Sequence, residues 1–352
     1  MSSVNALSEP TIPQLPNEVI IDILSALSSY HQGTLASCCA VSRAWNGLAT
    51  PELYRWSRPV EFVDRDRTQE GIEVISNAPF LRLGIHHLSE IRHLAIGYHP
   101  NSYCLDHHDH RMRLPNLKSV QLELGERHQH IQPLHNSDIP YSGTSPSECP
   151  LLKGLHPQTV VNRNVSLRMI NLNIPSIPTS LWEQVETLVF ISSSFEKNQG
   201  NGWEPFLPNL PKLERIFWLF DPLAPGESKE RKRRNDWNEL NLYIISELLS
   251  MCESSNVSFC IVNAGSTIMK DPCWRYLSVV KAQKEAEEII VRKLSDKLRA
   301  ESSSIDEFDV KDHFNDITFA TLEEFIEDEE WYEWMDSEEL SRWKKVMSRL
   351  PR

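Results

Sequence analysis

No run of apolar residues in this chain approaches the ~18 that a membrane-spanning helix needs, so no span is expected. The opening stretch, MSSVNALSEPTIPQ, lacks both the basic patch and the apolar core of a secretory leader. The expected location is therefore the cytoplasm, the nucleus or both, and the Asn-x-Ser triplets at Asn164 and Asn256 carry no weight as glycosylation sites. Cysteine supplies no framework either. There are 7 cysteines, an odd number, with no CxxC spacing, and Cys38 and Cys39 are neighbours. That excludes a disulfide-stapled scaffold and points to a reducing compartment. The chain has no GxxxxGK phosphate cradle, no GxSxG elbow and no HExxH helix. No catalytic residue, cofactor or metal is expected.

Positive charge is also scarce in any one place. The net charge of −13 lies almost wholly in the tail, since Glu301 to Glu339 holds sixteen Asp or Glu against the single Lys311. The rest of the chain is nearly neutral. No basic face predicts nucleic-acid binding, and the cluster of Lys229, Arg231, Lys232, Arg233 and Arg234 reads as a solvated loop, with a nuclear-localisation patch as the sharper alternative. Cys104, His107, His108 and His110 sit close together in CLDHHDHRMR, but their spacing matches no established ligand pattern. They read as a polar surface loop, as do His128 and His130; a metal-dependent enzyme at this cluster is the remote third reading.

What the chain does have begins at Leu15. Residues 15–55 read LPNEVIIDILSALSSYHQGTLASCCAVSRAWNGLATPELYR. Pro16 suits the first turn of a helix. At 100° per residue Ile20, Ile23, Leu24 and Leu27 make one stripe, widened by Val19, Ile21 and Ala26. A small bundle needs an apolar arc of about 100° per helix. This arc is about twice that width, and the surplus must face something else. Thr34 is the expected N-cap of a second helix carrying Leu35, Cys38, Val41, Trp45 and Leu48, with Gly47 as its stop. Thr50-Pro51-Glu52 is the expected start of a third, with Leu53, Tyr54 and Trp56.

Leu15-Pro16-x-Glu18, then Ile23-Leu24-x-x-Leu27, Leu35, and Val41-Ser42-Arg43-x-Trp45 together resemble an F-box, and the segment LASCCAVSRAW is similar to that of large fungal F-box families. The turn between Leu27 and Leu35 is longer than the commonest F-box spacing, a change a loop tolerates. Ser42 stands where a cysteine is frequent. The resemblance covers about forty residues. It implies docking onto the Skp-family adaptor, and through it the cullin, of an SCF ubiquitin ligase. The residues assigned to that contact are Leu15, Pro16, Ile20, Ile23, Leu24, Leu27, Val41 and Trp45, some of which must instead hold the module's own core.

Beyond it, short motifs recur: Ile85 to Ile96, Leu114 to Leu124, Leu167 to Ile174, Leu181 to Phe190, Leu207 to Trp218 and Val257 to Ile261. Each ends in period-2 alternation, a strand with one buried face, after a lead-in of three-residue spacing. The matched positions Leu94, Val120, Ile170, Leu188 and Ile216 leave a gap of 50 residues that has room for one more copy around Tyr141 to Leu155. The pattern resembles a degenerate leucine-rich repeat, with a generic α/β domain as the alternative. Alternate strand residues would then face a concave surface: Gln121, Glu123, Asn171, Asn173, Val189, Ile191, Phe217 and Leu219, with the aromatic Phe217–Phe220 stretch the expected centre of target recognition. A strand buried on both faces explains the same stretch equally well.

The predicted fold is α/β: an N-terminal three-helix F-box module, an irregular leucine-rich-repeat-like solenoid, and C-terminal helices. The expected divisions are a disordered 1–13, a module at 14–57, a repeat domain at 68–265 opening with a helix over 72–83, and a helical acidic region at 266–352. Helices are expected over 236–252 and 274–299. Thr321-x-x-Glu324 is a capping box opening a short helix, and the acidic, aromatic tail is expected to cap the end of the solenoid. The expected function is a non-catalytic adaptor that holds an unknown target protein near the ligase, without nucleic acid or membrane. The alternative is a repeat scaffold or regulator without ubiquitin transfer.

Overall fold

The computed structural model describes residues 15–27, 31–63, 73–75, 85–97, 99–100, 114–123, 126–127, 130–131, 135–136, 149, 152–163, 177–192, 208–222, 257–266, 278–301, 317–328, 331, 334–335 and 337–349. The 1–13 segment, the His-rich loop from Cys104 to His110, the Leu167–Ile174 copy with Asn171 and Asn173, the basic loop 226–234 and the helix expected over 236–252 lie outside the described residues. The chain divides into two units, Met1–Tyr54 and Arg55–Arg352.

The first unit is helical: α1 (Asn17–Ser25), α2 (Gln32–Val41) and α3 (Arg43–Arg55). Pro16 stands one residue earlier than expected. It is the cap residue, with φ −54° and ψ 145°, and its carbonyl accepts the Ile20 N–H at 3.2 Å. The break between the second and third helices falls at Ser42, not Gly47. Ser42 is extended, and its hydroxyl accepts the Trp45 N–H at 3.2 Å, a side-chain cap that satisfies a free first-turn donor. α3 then runs through Pro51 instead of starting there.

The second unit is built on one nine-stranded sheet. Its strands are β1 (Trp56–Val63), β2 (Glu73–Ile75), β3 (His93–Gly97), β4 (Ser119–Glu123), β5 (Thr159–Arg163), β6 (Thr187–Ser192), β7 (Arg215–Phe220), β8 (Ser258–Val262) and β9 (Ile317–Ala320). β2 is antiparallel to β1, at one edge, and occupies part of the span where a helix over 72–83 was expected. A short apolar run does not distinguish a buried strand from a helix segment. From β1 through β3 to β9 every neighbour is parallel and the order follows the chain.

Register places Leu94, Val120, Val160, Leu188, Ile216, Phe259 and Ile317 in one row. They are 26, 40, 28, 28, 43 and 58 residues apart. The strand between β4 and β6 is Thr159–Arg163, just beyond the window Tyr141 to Leu155 in which a further copy was sought. Val160 therefore stands in the row between Val120 and Leu188, and Ile170 lies outside the described residues. The three-residue lead-ins are tight turns: Leu117 N–H donates to the Leu114 carbonyl, Leu155 to Leu152, Leu181 to Pro178 and Leu213 to Leu210, at 3.1–3.2 Å. The apolar spacing thus has a backbone cause.

Both faces of the sheet are buried, as parallel sheets require. One face carries Leu94, Ile96, Val120, Leu122, Val160, Leu188, Phe190, Ile216, Trp218, Phe259 and Ile261. The turns and the helix α4 (Val279–Glu301) close it, with Ala286, Ile290 and Leu294 inward. The opposite face carries Val161, Val189, Ile191, Phe217, Leu219 and Val262. Against it lie α5 (Leu322–Asp328) and α6 (Ser337–Met347). The stretch expected as a separate C-terminal region, 266–352, is thus part of the same unit: it gives the sheet a strand and covers both faces. The solenoid reading predicts this strand order, but so does any sheet wound in sequence.

Candidate functional site

α1 has two apolar stripes, and the structure assigns them different work. Ile20 and Leu24, 8% and 1% exposed, pack with Leu35 and Ala49 into the module's core. Leu27, Cys38, Trp45, Leu48 and Leu53 pack part-buried around them. Val19 and Ile23, four residues apart in α1, share a different line along the helix, and Leu15 precedes its cap. Leu15 is 57% exposed and Ile23 51%. Val19 and Ile21 are also exposed, and so is Val41 at the end of α2. Pro16 is exposed beside them.

The eight residues assigned from sequence therefore split. Leu15, Pro16, Ile23 and Val41 are available to a partner. Ile20 and Leu24 are core, and Leu27 and Trp45 are part of its packed margin. Val19 and Ile21 belong to the available set and were not assigned. The i, i+4 relation of Val19 to Ile23 carried that signal, whereas the wide apolar arc alone could not say which edge faces inward.

The expected target-facing residues fare differently. Phe217 and Leu219 are 3% and 0% exposed, beneath α5 and α6. The Phe217 ring lies 5.6 Å from Phe325, edge-on, and 5.9 Å from Trp334, stacked. Val189 and Ile191 are buried in the same layer. Gln121 is 4% exposed and Glu123 ends β4. The acidic tail docks on its own chain, as expected: its strand β9 closes the end of the sheet beside β8, and α5 and α6 go on to cover this sheet face. Its anchors are Leu322, Phe325, Trp334, Met335, Leu340, Trp343 and Met347. The capping box forms as read: the Thr321 N–H and hydroxyl donate to a Glu324 carboxylate oxygen at 2.7 and 2.8 Å, and the Glu324 N–H donates to Thr321 Oγ1 at 3.2 Å. Those bonds hold the Glu324 carboxyl below its usual pKa. On this face Arg163 pairs with Glu339, whose side chain is 5% exposed. Sequence reading missed that pair, because its members lie 176 residues apart.

At the other end of the sheet His93 is fully buried. Its Nδ1 shares a 2.9 Å hydrogen bond with Ser119 Oγ, and its ring stacks on Trp56 at 4.3 Å. Burial first, then the positive charges of Arg55, Lys118 and Arg92, hold it well below the usual histidine pKa, so the ring stays neutral. Among the described residues no three His, Cys, Asp or Glu are grouped to hold a metal, and no helix is long and apolar enough to cross a membrane.

The exposed stripe lies within residues 12–60, which match the F-box-like family model. The chain carries an F-box-like domain. F-box domains typically bind Skp-family adaptors, and carrying one suggests an SCF adaptor role in general. No curated protein and no solved structure matches the chain.

Proposed function

We propose that this chain is a substrate-recognition adaptor of an SCF ubiquitin ligase, in which the F-box binds the Skp-family subunit and the sheet domain receives a target protein. The observation that carries it is the set of exposed apolar side chains on the module, Leu15, Val19, Ile23 and Val41. A module with four buried apolar residues among those described can ill spare such surface, and burial against a partner recovers its transfer free energy. The sequential parallel sheet, with its repeated i+3 turns, supports a leucine-rich-repeat-like solenoid for the second unit. The chain itself makes and breaks no bond. It acts by tethering, which raises the effective concentration of target lysines near the charged ubiquitin carrier.

Co-purification tests the reading. The full chain should capture the Skp-family adaptor and, with it, cullin, and Ile23→Asp should abolish both while leaving the circular dichroism spectrum unchanged. Adaptor without cullin would make the chain a scaffold or regulator outside ubiquitin transfer; neither would end the reading.

A further inference from the structure

The two apolar layers flanking the sheet are built from different parts of the chain. The larger one draws on the strands, the turns and α4, and its residues run no further than Phe319. The smaller joins the opposite sheet face chiefly to residues from 322 onward, with Val279 and Ala320 at its margin. The C-terminal segment could therefore leave its face without opening the main core or reversing a strand crossing. Many of its bonds are internal: the Thr321–Glu324 box, Trp331 Nε1 to the Ile326 carbonyl at 2.9 Å, and the Trp334 and Met335 N–H groups to the Trp331 carbonyl. What grips the sheet is a set of aromatic and aliphatic anchors and the Glu339 carboxylate on Arg163. A buried ion pair adds little over an apolar pair, yet it discriminates strongly between occupants that carry the matching charge and those that do not.

We propose that the sheet face carrying Arg163, Phe217 and Leu219 is a docking surface for an amphipathic helix of a target protein that bears a carboxylate beside its first apolar anchor, and that the C-terminal segment is its resident, self-inhibiting occupant. The proposal rests on the reading that this unit receives a target, and it names the class of partner. The resident defines the pattern: apolar anchors at the spacing of Leu340, Trp343 and Met347, with a carboxylate at the position of Glu339 beside the first. Charge agrees at that one position: α6 has Glu338 and Glu339 at its start and Arg342, Lys344 and Lys345 after them, and it is the Glu339 carboxylate that meets Arg163 in the layer, with Arg215, exposed, over the Phe217 ring at 5.8 Å.

The test uses the full chain and a fluorescent peptide of residues 321–352. In the unsubstituted chain the face is filled and the peptide binds weakly. Glu339→Arg sets a second cation against Arg163 and loosens the resident, while the peptide still carries its own glutamate. Peptide affinity should rise about tenfold or more. Combining Arg163→Glu with Glu339→Arg restores the tie with its sign reversed, and affinity should return to the low value. Near-UV circular dichroism and thermal melts accompany each variant. Unchanged affinity in a folded Glu339→Arg chain overturns the proposal. If that variant does not fold, the pair Leu340→Ser and Met347→Ser replaces it; should that also melt the sheet, the segment is core and the idea fails. Adaptor capture, measured on the same samples, reads the helical module separately, so each proposal can fail alone.

Discussion

Ile23 and Leu24 are adjacent in sequence and opposite in role, and the pair decides whether the first unit is understood. Leu24 is 1% exposed in a core whose other buried members are Ile20, Leu35 and Ala49. Truncation to alanine removes its transfer free energy and leaves a cavity, about 2–5 kcal/mol for a leucine. At about 0.05–0.15 kcal/mol per residue, a unit of some fifty residues has only about 3–8 kcal/mol in hand. Leu24→Ala should therefore unfold a large fraction of the module, and any loss of adaptor binding would follow from that. Ile23 is 51% exposed. Full burial of such a side chain contributes about 3 kcal/mol, so about half remains to be gained on docking, and anchors in such contacts lose about 2 kcal/mol when truncated. Ile23→Ala should cost under about 1 kcal/mol of stability and weaken adaptor binding about thirtyfold. Chemical denaturation followed by far-UV circular dichroism gives the first number, and calorimetric titration with the Skp-family subunit the second. The reasoning is refuted if Leu24→Ala melts like the parent chain and loses the adaptor, or if Ile23→Ala binds it undiminished.

Three further outcomes follow from the sheet unit. A Cβ added at Gly265 would sit 2.6 Å from the Gln283 backbone nitrogen, so Gly265→Ala must push α4 away from the sheet and should cost about 1–3 kcal/mol in a urea melt. Asn162 is 1% exposed, between Leu122 and Phe190 in register, and neither amide atom finds a hydrogen-bond partner among the described residues; Asn162→Leu should raise the denaturation midpoint by the equivalent of about 1 kcal/mol or more. His93 binds its proton less readily folded than unfolded, so the unfolded chain takes up more protons below about pH 6.5 and stability falls as pH drops through that value, at most by about 1.4 kcal/mol per pH unit. Above about 6.5 this contribution is constant. Urea midpoints between pH 7.5 and 5.5 should show the slope in the parent chain, and His93→Leu should flatten it.

The sequence by itself determined whatever depends on near neighbours. The F-box-like segment was legible from the order of its apolar residues and the Trp45 spacing, the lead-in turns from leucines three apart, and the capping box from Thr321 and Glu324. Each reflects a backbone bond or a helical face spanning a few residues. Only the tertiary structure decided matters of facing and pairing. Periodicity shows that α1 is apolar on more than one side, but whether Ile23 or Leu24 points to the core depends on where α2 and α3 lie. The apolar run Phe217–Phe220 fits a strand, but does not show that the second face would be closed by Phe325 and Trp334, more than a hundred residues onward. The β5 strand was missed because Asn162 interrupts the apolar alternation, and β9 because it sits in an acidic tail. Both hold their places through ladder bonds to neighbouring strands, a partnership that local pattern does not encode.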